Sequence, residues 1–579
     1  MRIWLGLAFS RAAALASAQE LATLYPDRTP GSKGALLAGS WLSAQFRALG
    51  FETHADTFSA TIPGRGRVRL QNLSATAVAP TSSPETIVVL AHRDNTGAGP
   101  GVNDNASGTA ALLELARAYA HPAGTPGHAV SPAHTIVFLS TDGGAYGGLG
   151  AAHFVSHSAI RSRVVAVVDL DAIAGSGPAR LEIGGDAARS PAAALVASAA
   201  ARIQDETGVS PGRTSALGQL IDLGFPFGLY EQAPFVAKGI PAVTLTTGGD
   251  RPPPPAADRV AAVDATRLGQ LGRASQTLLS SLDEGLELAQ GTSSYLYLGS
   301  RLVRGWAIEL SLFAMLLPFL AVVIDLFARC RRRGIHLAPA FRSYRSRLGF
   351  WLWAGVLFEL FALAGAWPGG TARPPNPATT AAGHWPRLAI AGLAVLLVAS
   401  WLVPRERLRP RQPLTPEDDL AGHTAALLAL GVVALVVVAT NPFALLFALP
   451  PLHAWLWLPQ VRERSLGLRA GLLLLGFAGP LLLLGSFATR FGLGLDAPWY
   501  LAELTAIGYV PLVAVAIALA WTAGAAQLLA LTAGRYAPYP RRSERPPRGP
   551  IRNVVRAIIL TTRDRRRQTI QPARDAQEA

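Results

Sequence analysis

The chain has almost no cysteine and almost no lysine. Cys330 is its single cysteine, which excludes an intrachain disulfide and gives no evidence of a thiolate metal site. It neither requires nor forbids an oxidising compartment. Lys33 and Lys238 are the only lysines, so a formal net charge of +15 rests on arginine. The N-terminal half lacks a basic patch with interleaved aromatics, which argues against a nucleic-acid partner. Many arginines instead fall between apolar runs or after Arg535, where they read as signals of membrane topology.

What is present is apolar length. At 579 residues the chain exceeds one ordinary domain. Half of its residues are hydrophobic (50%) and the mean hydropathy is +0.30, high for a soluble protein. The excess lies beyond about Gly305, so the class is a membrane protein with a soluble N-terminal half.

Five regions are expected. Residues 1–18 admit three readings: a short signal peptide with Ala16-Ser17-Ala18 as a cleavage-site pattern, a truncated signal anchor, or the start of an amphipathic helix. Residues 19–287 alternate buried β-branched runs with helical stretches. Thr86–Leu90, Thr135–Leu139, Val164–Val168 and Ala242–Thr246 read as core strands of an α/β fold, a mostly parallel sheet sandwiched by helices. Residues 288–304 read as a linker. Residues 305–534 form an all-α transmembrane domain of about seven spans, near 305–327, 349–367, 387–403, 420–439, 442–460, 468–489 and 506–532. Residues 535–579 are a basic tail whose segment 551–560 reads equally as an amphipathic helix or a disordered stretch.

Arginine alternates between the loops of the helical half. Arg329, Arg331, Arg332 and Arg333 follow the first span, Arg405 to Arg411 the third, Arg462, Arg464 and Arg469 the fifth, and Arg541, Arg542 and Arg545 the last. The intervening loops are poor in arginine. This places the arginine-rich loops and the C-terminus in the cytoplasm and the soluble half outside it. Asp325 near Arg329 reads as an interfacial ion pair. Glu309 and Glu503 fall within or beside spans, and Glu359, deeper in its span, is the foremost candidate for an interior polar contact.

The chemistry starts at Ala91-His92-Arg93-Asp94. A His-x-Asp at a strand end, followed ten residues later by Asp104 in Asn103-Asp104-Asn105-Ala106-Ser107-Gly108, suits a divalent metal. His92 supplies an imidazole, Asp94 fixes its tautomer, and Asp104 reaches in from the next turn. Pro30-Gly31-Ser32 with Leu49-Gly50-Phe51, then Asp142-Gly143-Gly144-Ala145-Tyr146-Gly147-Gly148-Leu149-Gly150, Asp169-Leu170-Asp171 and Gly239-Ile240-Pro241-Ala242 complete an ordered series.

Over roughly residues 20–285 this series resembles the di-zinc aminopeptidase family, metallopeptidase family twenty-eight. The appended spans make the chain similar to its membrane-anchored endoplasmic-reticulum metallopeptidase branch. The resemblance implies one metal held by His92, Asp104 and Asp171, with Asp94 orienting His92. It also implies a second metal and a general base that this chain lacks. Gly144 stands in place of the base and Ala145 in place of a second-metal ligand. The late His is missing from Gly248-Gly249-Asp250-Arg251-Pro252-Pro253-Pro254-Pro255. Loss of a general base costs about 10²–10⁴ in rate, and loss of one of two metals removes Lewis-acid polarisation as well.

The expectation is a degenerate di-zinc site with at most one zinc ion, or a metal-free polar network, weakly active or inactive and used for binding or scaffolding. Two alternatives stand beside it: an active single-metal aminopeptidase acting on peptides, and a small-molecule transporter or sensor with a peptidase-like cap. Expected partners are membrane lipid and peptides or other exported proteins. Four residues could in principle replace lost groups. His153 and His157 read as partly exposed helix histidines and Glu231 as a solvated loop acid, while Asp142 is open between a turn role and a site role.

Overall fold

The computed structural model describes residues 8–80, 84–120, 131–251, 254–285, 291–377, 385–408, 414–461 and 465–534. The basic tail, including 551–560, lies outside the described residues, as do residues 1–7.

Seven strands form one mixed sheet: β1 (Thr53–Ile62), β2 (Gly66–Ala77), β3 (Thr86–His92), β4 (Thr135–Thr141), β5 (Val164–Asp171), β6 (Arg180–Glu182) and β7 (Ala242–Thr246). Their order is β1-β2-β4-β3-β5-β7-β6. The central strands β4, β3, β5 and β7 are parallel, and β1, β2 and β6 are antiparallel additions. Every residue of β3 is buried, because helices cover both faces. Ile87, Val89 and Ala91 face a core shared with α1 (Arg11–Leu24), α2 (Lys33–Ala48), α3 (Gly108–Arg117), α5 (Ala193–Thr207) and α8 (Ala265–Asp283). Val88 and Leu90 face α4 (Leu149–His157) and α7 (Gln232–Ala237). A strand buried on both sides has no polar face, so its sequence is continuously apolar until His92. Between α5 and α7 lies α6 (Ala216–Gly224).

Helix α1 starts at an N-cap in which Ser10 Oγ accepts from the Ala13 N–H. It runs unbroken through Ala16-Ser17-Ala18, and Ala14, Ala18 and Leu21 are buried in the core. Phe9 precedes it, packed so closely on α8 that a Cβ at Gly272 would lie 2.2 Å from its ring.

The C-terminal half is helical: α9 (Gly305–Arg332), α10 (Ala338–Leu363), α11 (Arg387–Leu402), α12 (Pro416–Thr440), α13 (Leu445–Leu456), α14 (Leu466–Leu475), α15 (Ala478–Arg490), α16 (Ala497–Ala506) and α17 (Leu512–Thr532). Each of the seven expected segments carries a helix. Four of them, α9, α10, α12 and α17, are long and apolar enough to cross a membrane, and the pair α14–α15, bent by 58°, is either a fifth, broken span or a re-entrant loop. The other two, α11 and α13, are shorter apolar helices. The bend has a packing cause. A Cβ at Gly476 would meet the Trp455 indole at 1.9 Å, and one at Gly479 would meet the Phe447 carbonyl oxygen at 1.8 Å, so α13 presses into the break. Four to five long apolar helices suggest a multi-pass membrane protein.

Of the acids near spans, Asp325 pairs with Arg329 at 2.7 Å as expected. Glu359 is only half-buried, whereas Glu503 on α16 is fully buried and neither of its carboxylate oxygens has a partner among the described residues. Of these acids the buried one is Glu503, not Glu359.

Candidate metal centre

Parallel pairing aligns the carboxyl ends of β3 and β5. Leu90 is in register with Asp169, which carries His92 to the level of Asp171 two residues on. Both project toward the α4/α7 face, at the sheet edge where open α/β sheets place their sites. Asp104 arrives from the turn between β3 and α3. Nε2 of His92 lies 3.2 Å from Asp104 Oδ1 and 3.5 Å from Asp171 Oδ2, and one donor atom from each residue lies within 4.8 Å of the others. Ligand atoms 2.0–2.2 Å from a tetrahedral zinc stand about 3.3–3.6 Å apart, so the donor set fits one such ion.

The turn holding Asp104 is stitched to its neighbours by its own polar side chains. Asn105 Oδ1 accepts from Gly108 N and Ala172 N, and its Nδ2 donates to Leu170 O at 2.8 Å. Asn103 Oδ1 accepts from Ala174 N, and Ser107 Oγ accepts from Ile173 N. The Asp104–Asn105 peptide is cis. Asp258 completes the clamp: its two carboxylate oxygens accept from Asn103 N and Asp104 N, each at 2.8 Å. Fully buried Arg28 ties the approach to this turn, donating to the carbonyls of Tyr25, Arg93, Pro100 and Gly101. Sequence reasoning passed over Asp258 and Arg28. A lone acid beyond a proline run and a lone arginine before Pro30 carry no local pattern.

Asp94 has two tasks. Nδ1 of His92 is 3.1 Å from its main-chain oxygen and 3.3 Å from Oδ1, which makes Nδ1 the donor to Asp94 and aims Nε2 at Asp104 and Asp171. Its carboxylate also accepts from Gly144 N at 2.8 Å and Ala145 N at 3.1 Å, capping the turn after β4. Burial alone would depress the imidazole pKa. The hydrogen bonds from Asp104, Asp171 and Asp94 outweigh it and raise His92 well above its ordinary value. Burial pushes the Asp171 carboxyl up, against the opposing pull of His92.

The positions expected to carry the general base and a second-metal ligand hold neither. Gly144 and Ala145 are buried in the capped turn, and a Cβ at Gly144 would fall 2.2 Å from Cγ of His92. The segment after β7 that lacks the late His turns to the helical half instead. Asp250 lies 2.9 Å from Nε of Arg490, and Arg251 Nε donates to the Arg490 carbonyl. Arg490 also pairs with Asp222 at 2.5 Å. Beside it, Arg373 from the segment between α10 and α11 donates to the Gly147 carbonyl at 2.5 Å and pairs with Asp186.

The substitute residues sort clearly. Asp142 is structural: Oδ2 accepts from Gln71 N at 3.0 Å and lies 3.4 Å from Arg93. His153 stacks on Phe58 and pairs with Asp56 at 3.1 Å, and His157 stacks on His153. Neither joins the donor set. Glu231 corrects the expectation of a solvated acid, being 1% exposed. Its Oε2 accepts from Thr141 Oγ1 at 2.6 Å, and its Oε1 is buried without a partner among the described residues. Burial pushes its carboxyl up to about 7, with the nearby His92 pulling the other way.

Residues 72–278 match the family model described as Peptidase family M28. That segment spans β2 to α8 and contains every residue of the donor set. Among solved structures, an aminopeptidase from Aneurinibacillus sp. strain AM-1 is similar over 47% of this chain and 94% of its own, at 14% identity and a TM-score of 0.39. BSAP, a zinc aminopeptidase from Bacillus subtilis, covers 49% of this chain and 98% of its own, at 14% identity and a TM-score of 0.39. A glutaminyl cyclase from Porphyromonas gingivalis covers 47% and 99%, at 18% identity and a TM-score of 0.38. No curated protein matches the chain.

Proposed function

We propose that the N-terminal half is an M28-type module that holds a single zinc ion and has lost ordinary peptidase turnover, serving in binding or scaffolding outside the cytoplasm. The observation that carries this reading is the contact of Gly144 with His92: the place of the expected general base is filled by the ring that would hold the metal. A bound zinc would supply Lewis-acid polarisation of a carbonyl or water. His92 would give it Nε2, Asp104 and Asp171 would give carboxylate oxygens, and Asp94 would keep the His92 proton on Nδ1. With no carboxylate at residue 144, none of these groups is free to take a proton from an attacking water.

The membrane-anchored branch similar to endoplasmic-reticulum metallopeptidases is the proposed setting. Its support is positional. Arg373, Asn441 and Arg490 touch the M28-type half, whereas Arg329, Arg331 and Arg332 end α9 at the opposite end of the bundle. Arginine-rich ends face the cytoplasm, which puts the M28-type half outside.

A second reading is favoured by Glu231, whose buried Oε1, without a partner among the described residues, lies on the same face as His92. Here Glu231 is the substitute base of a one-metal aminopeptidase. Zinc analysis and an aminopeptidase assay on the full-length chain in detergent, with Asp104→Ala alongside, decide the matter. One zinc per chain, lost in Asp104→Ala, with no turnover in either protein is the expected result. Turnover abolished by both Asp104→Ala and Glu231→Gln would install the second reading, and absence of zinc would reduce the centre to a polar network.

A further inference from the structure

At the bundle end where α9 finishes, a cavity of about 280 Å³ opens among α12, α14 and the end of α17. Asp419, His423 and Arg469 form its polar wall, and Leu414, Leu458 and Leu531 its apolar one. Charged groups in a bilayer-embedded bundle are costly and mark function by default, and nothing in the M28-type half uses these three.

Each polar group has a defined direction. Nδ1 of His423 is 3.0 Å from the Asp419 carbonyl oxygen and 3.3 Å from its carboxylate. That neighbourhood makes Nδ1 the donor to Asp419, so that Nε2 of the neutral ring is the acceptor His423 brings to the cavity it lines. Asp419 and His423 are 7% and 4% exposed. Arg469 is anchored by one Nη1 bond to the Thr532 carbonyl at 3.4 Å, and its Nε is buried without a partner among the described residues. The cavity thus offers a guanidinium, which wants an anion, and an imidazole acceptor, which wants an N–H donor. A ligand satisfying both carries an anionic group and an ammonium a few bonds apart. The leucine wall, and outward-facing Leu468 and Leu529 on the flanking helices (47% and 54% exposed), give acyl chains a path along the bundle.

We propose that this cavity binds the phosphoethanolamine headgroup of a membrane lipid, with the phosphate against Arg469 and the ammonium against Nε2 of His423. The site is independent of any metal in the M28-type half. Asp419 acts as a positioning residue that fixes the His423 tautomer.

The test titrates the full-length chain in detergent with phosphatidylethanolamine, phosphatidylcholine and phosphatidylglycerol of matched acyl chains, read by native mass spectrometry. A charge-assisted hydrogen bond is worth about tenfold or more in affinity. Phosphatidylethanolamine should therefore exceed phosphatidylcholine, which has no N–H to give, and phosphatidylglycerol, which has no ammonium, by about that factor. His423→Phe should abolish the preference, and Arg469→Gln should weaken all three lipids, which share the phosphate, by about tenfold. Glycerophosphoethanolamine separates the sources. Displacement only at large excess assigns the headgroup to a lipid, and displacement at lipid-like concentration assigns the same site to the free zwitterion and overturns the lipid assignment. Equal binding of phosphatidylethanolamine and phosphatidylcholine by the unmodified chain would overturn the proposal without recourse to any variant, as would a preference that survives His423→Phe or lipid binding unchanged in Arg469→Gln.

Discussion

Gly144 and His92 are in direct contact, so close that a Cβ on the glycine would lie 2.2 Å from Cγ of the imidazole. The turn that carries Gly144 is fixed by Asp94, which accepts its N–H at 2.8 Å and that of Ala145 at 3.1 Å. A carboxylate therefore cannot simply be returned to this position. Gly144→Glu must displace the ring that Asp94 orients, and overpacking of this kind costs about 1–3 kcal/mol. The expected outcome is a lower melting temperature of the full chain together with loss of zinc. Normal stability with recovered turnover would show that the site is merely missing a side chain.

Asp258 would act on a zinc ion bound at this centre through Asp104. Its two oxygens hold consecutive main-chain N–H groups at 2.8 Å each, and an amide in its place can accept only one of them. Disturbing a group that orients a ligand typically lowers metal affinity about 10–100-fold. Asp258→Asn should weaken zinc by that factor, measured by competition with a chromophoric chelator, while the melting temperature of the metal-free protein changes little. Unaltered affinity would reduce Asp258 to a loop contact.

The contrast between Asp258 and His92 shows what can be read in a chain. His92 and Asp104 were legible because one ends a strand and the other opens a helix in a pattern that suits a metal, Asp171 joined them through the family resemblance, and the four core strands were legible because burial on both faces leaves an unbroken apolar run. Asp258 and Arg28 were not, since the main-chain atoms through which they hold the Asp104 turn and its approach lie more than 60 residues away. Glu231 was misjudged for the same reason: an acid beside Tyr230 looks solvated until α7 folds over Thr141. The helical half was legible as apolar length, but the break between α14 and α15 depends on Trp455 and Phe447 packing onto two glycines, a tertiary fact with no periodic signature.

The junction of the two halves is concentrated in Arg490. It pairs with Asp222 at 2.5 Å and Asp250 at 2.9 Å, and burial pushes the Asp222 carboxyl up to about 6 even with Arg490 pulling it down. Removing the cation strands two acids, and breaking a buried pair from one side costs about 3–5 kcal/mol. Arg490→Ala should therefore lower the melting temperature and raise amide exchange in α6 and around Asp250. Adding Asp222→Ala should recover part of the loss. A double variant no more stable than Arg490→Ala alone would mean that Arg490 acts by packing rather than by charge.

Glu231 makes a prediction about pH in the metal-free protein. Burial, opposed by His92, raises its carboxyl to about 7 from an ordinary value of 4.5. Between those values the folded chain holds a proton on Glu231 that the unfolded chain has released. Its contribution to stability is therefore present at and below pH 4.5 and is lost as pH rises toward 7, with a slope of up to about 1.4 kcal/mol per pH unit. Glu231→Gln keeps the hydrogen bond with Thr141 and cannot ionise. Melting temperatures of the chelator-treated wild type and Glu231→Gln, taken from pH 5 to pH 8, should diverge upward in pH with the variant more stable at pH 8. His92 and Asp169 remain in both proteins, so the difference between the curves reports Glu231 together with its coupling to these neighbours. Parallel curves would mean that the carboxylate is ionised at neutral pH and stabilised by a partner, which would also remove its standing as a substitute base.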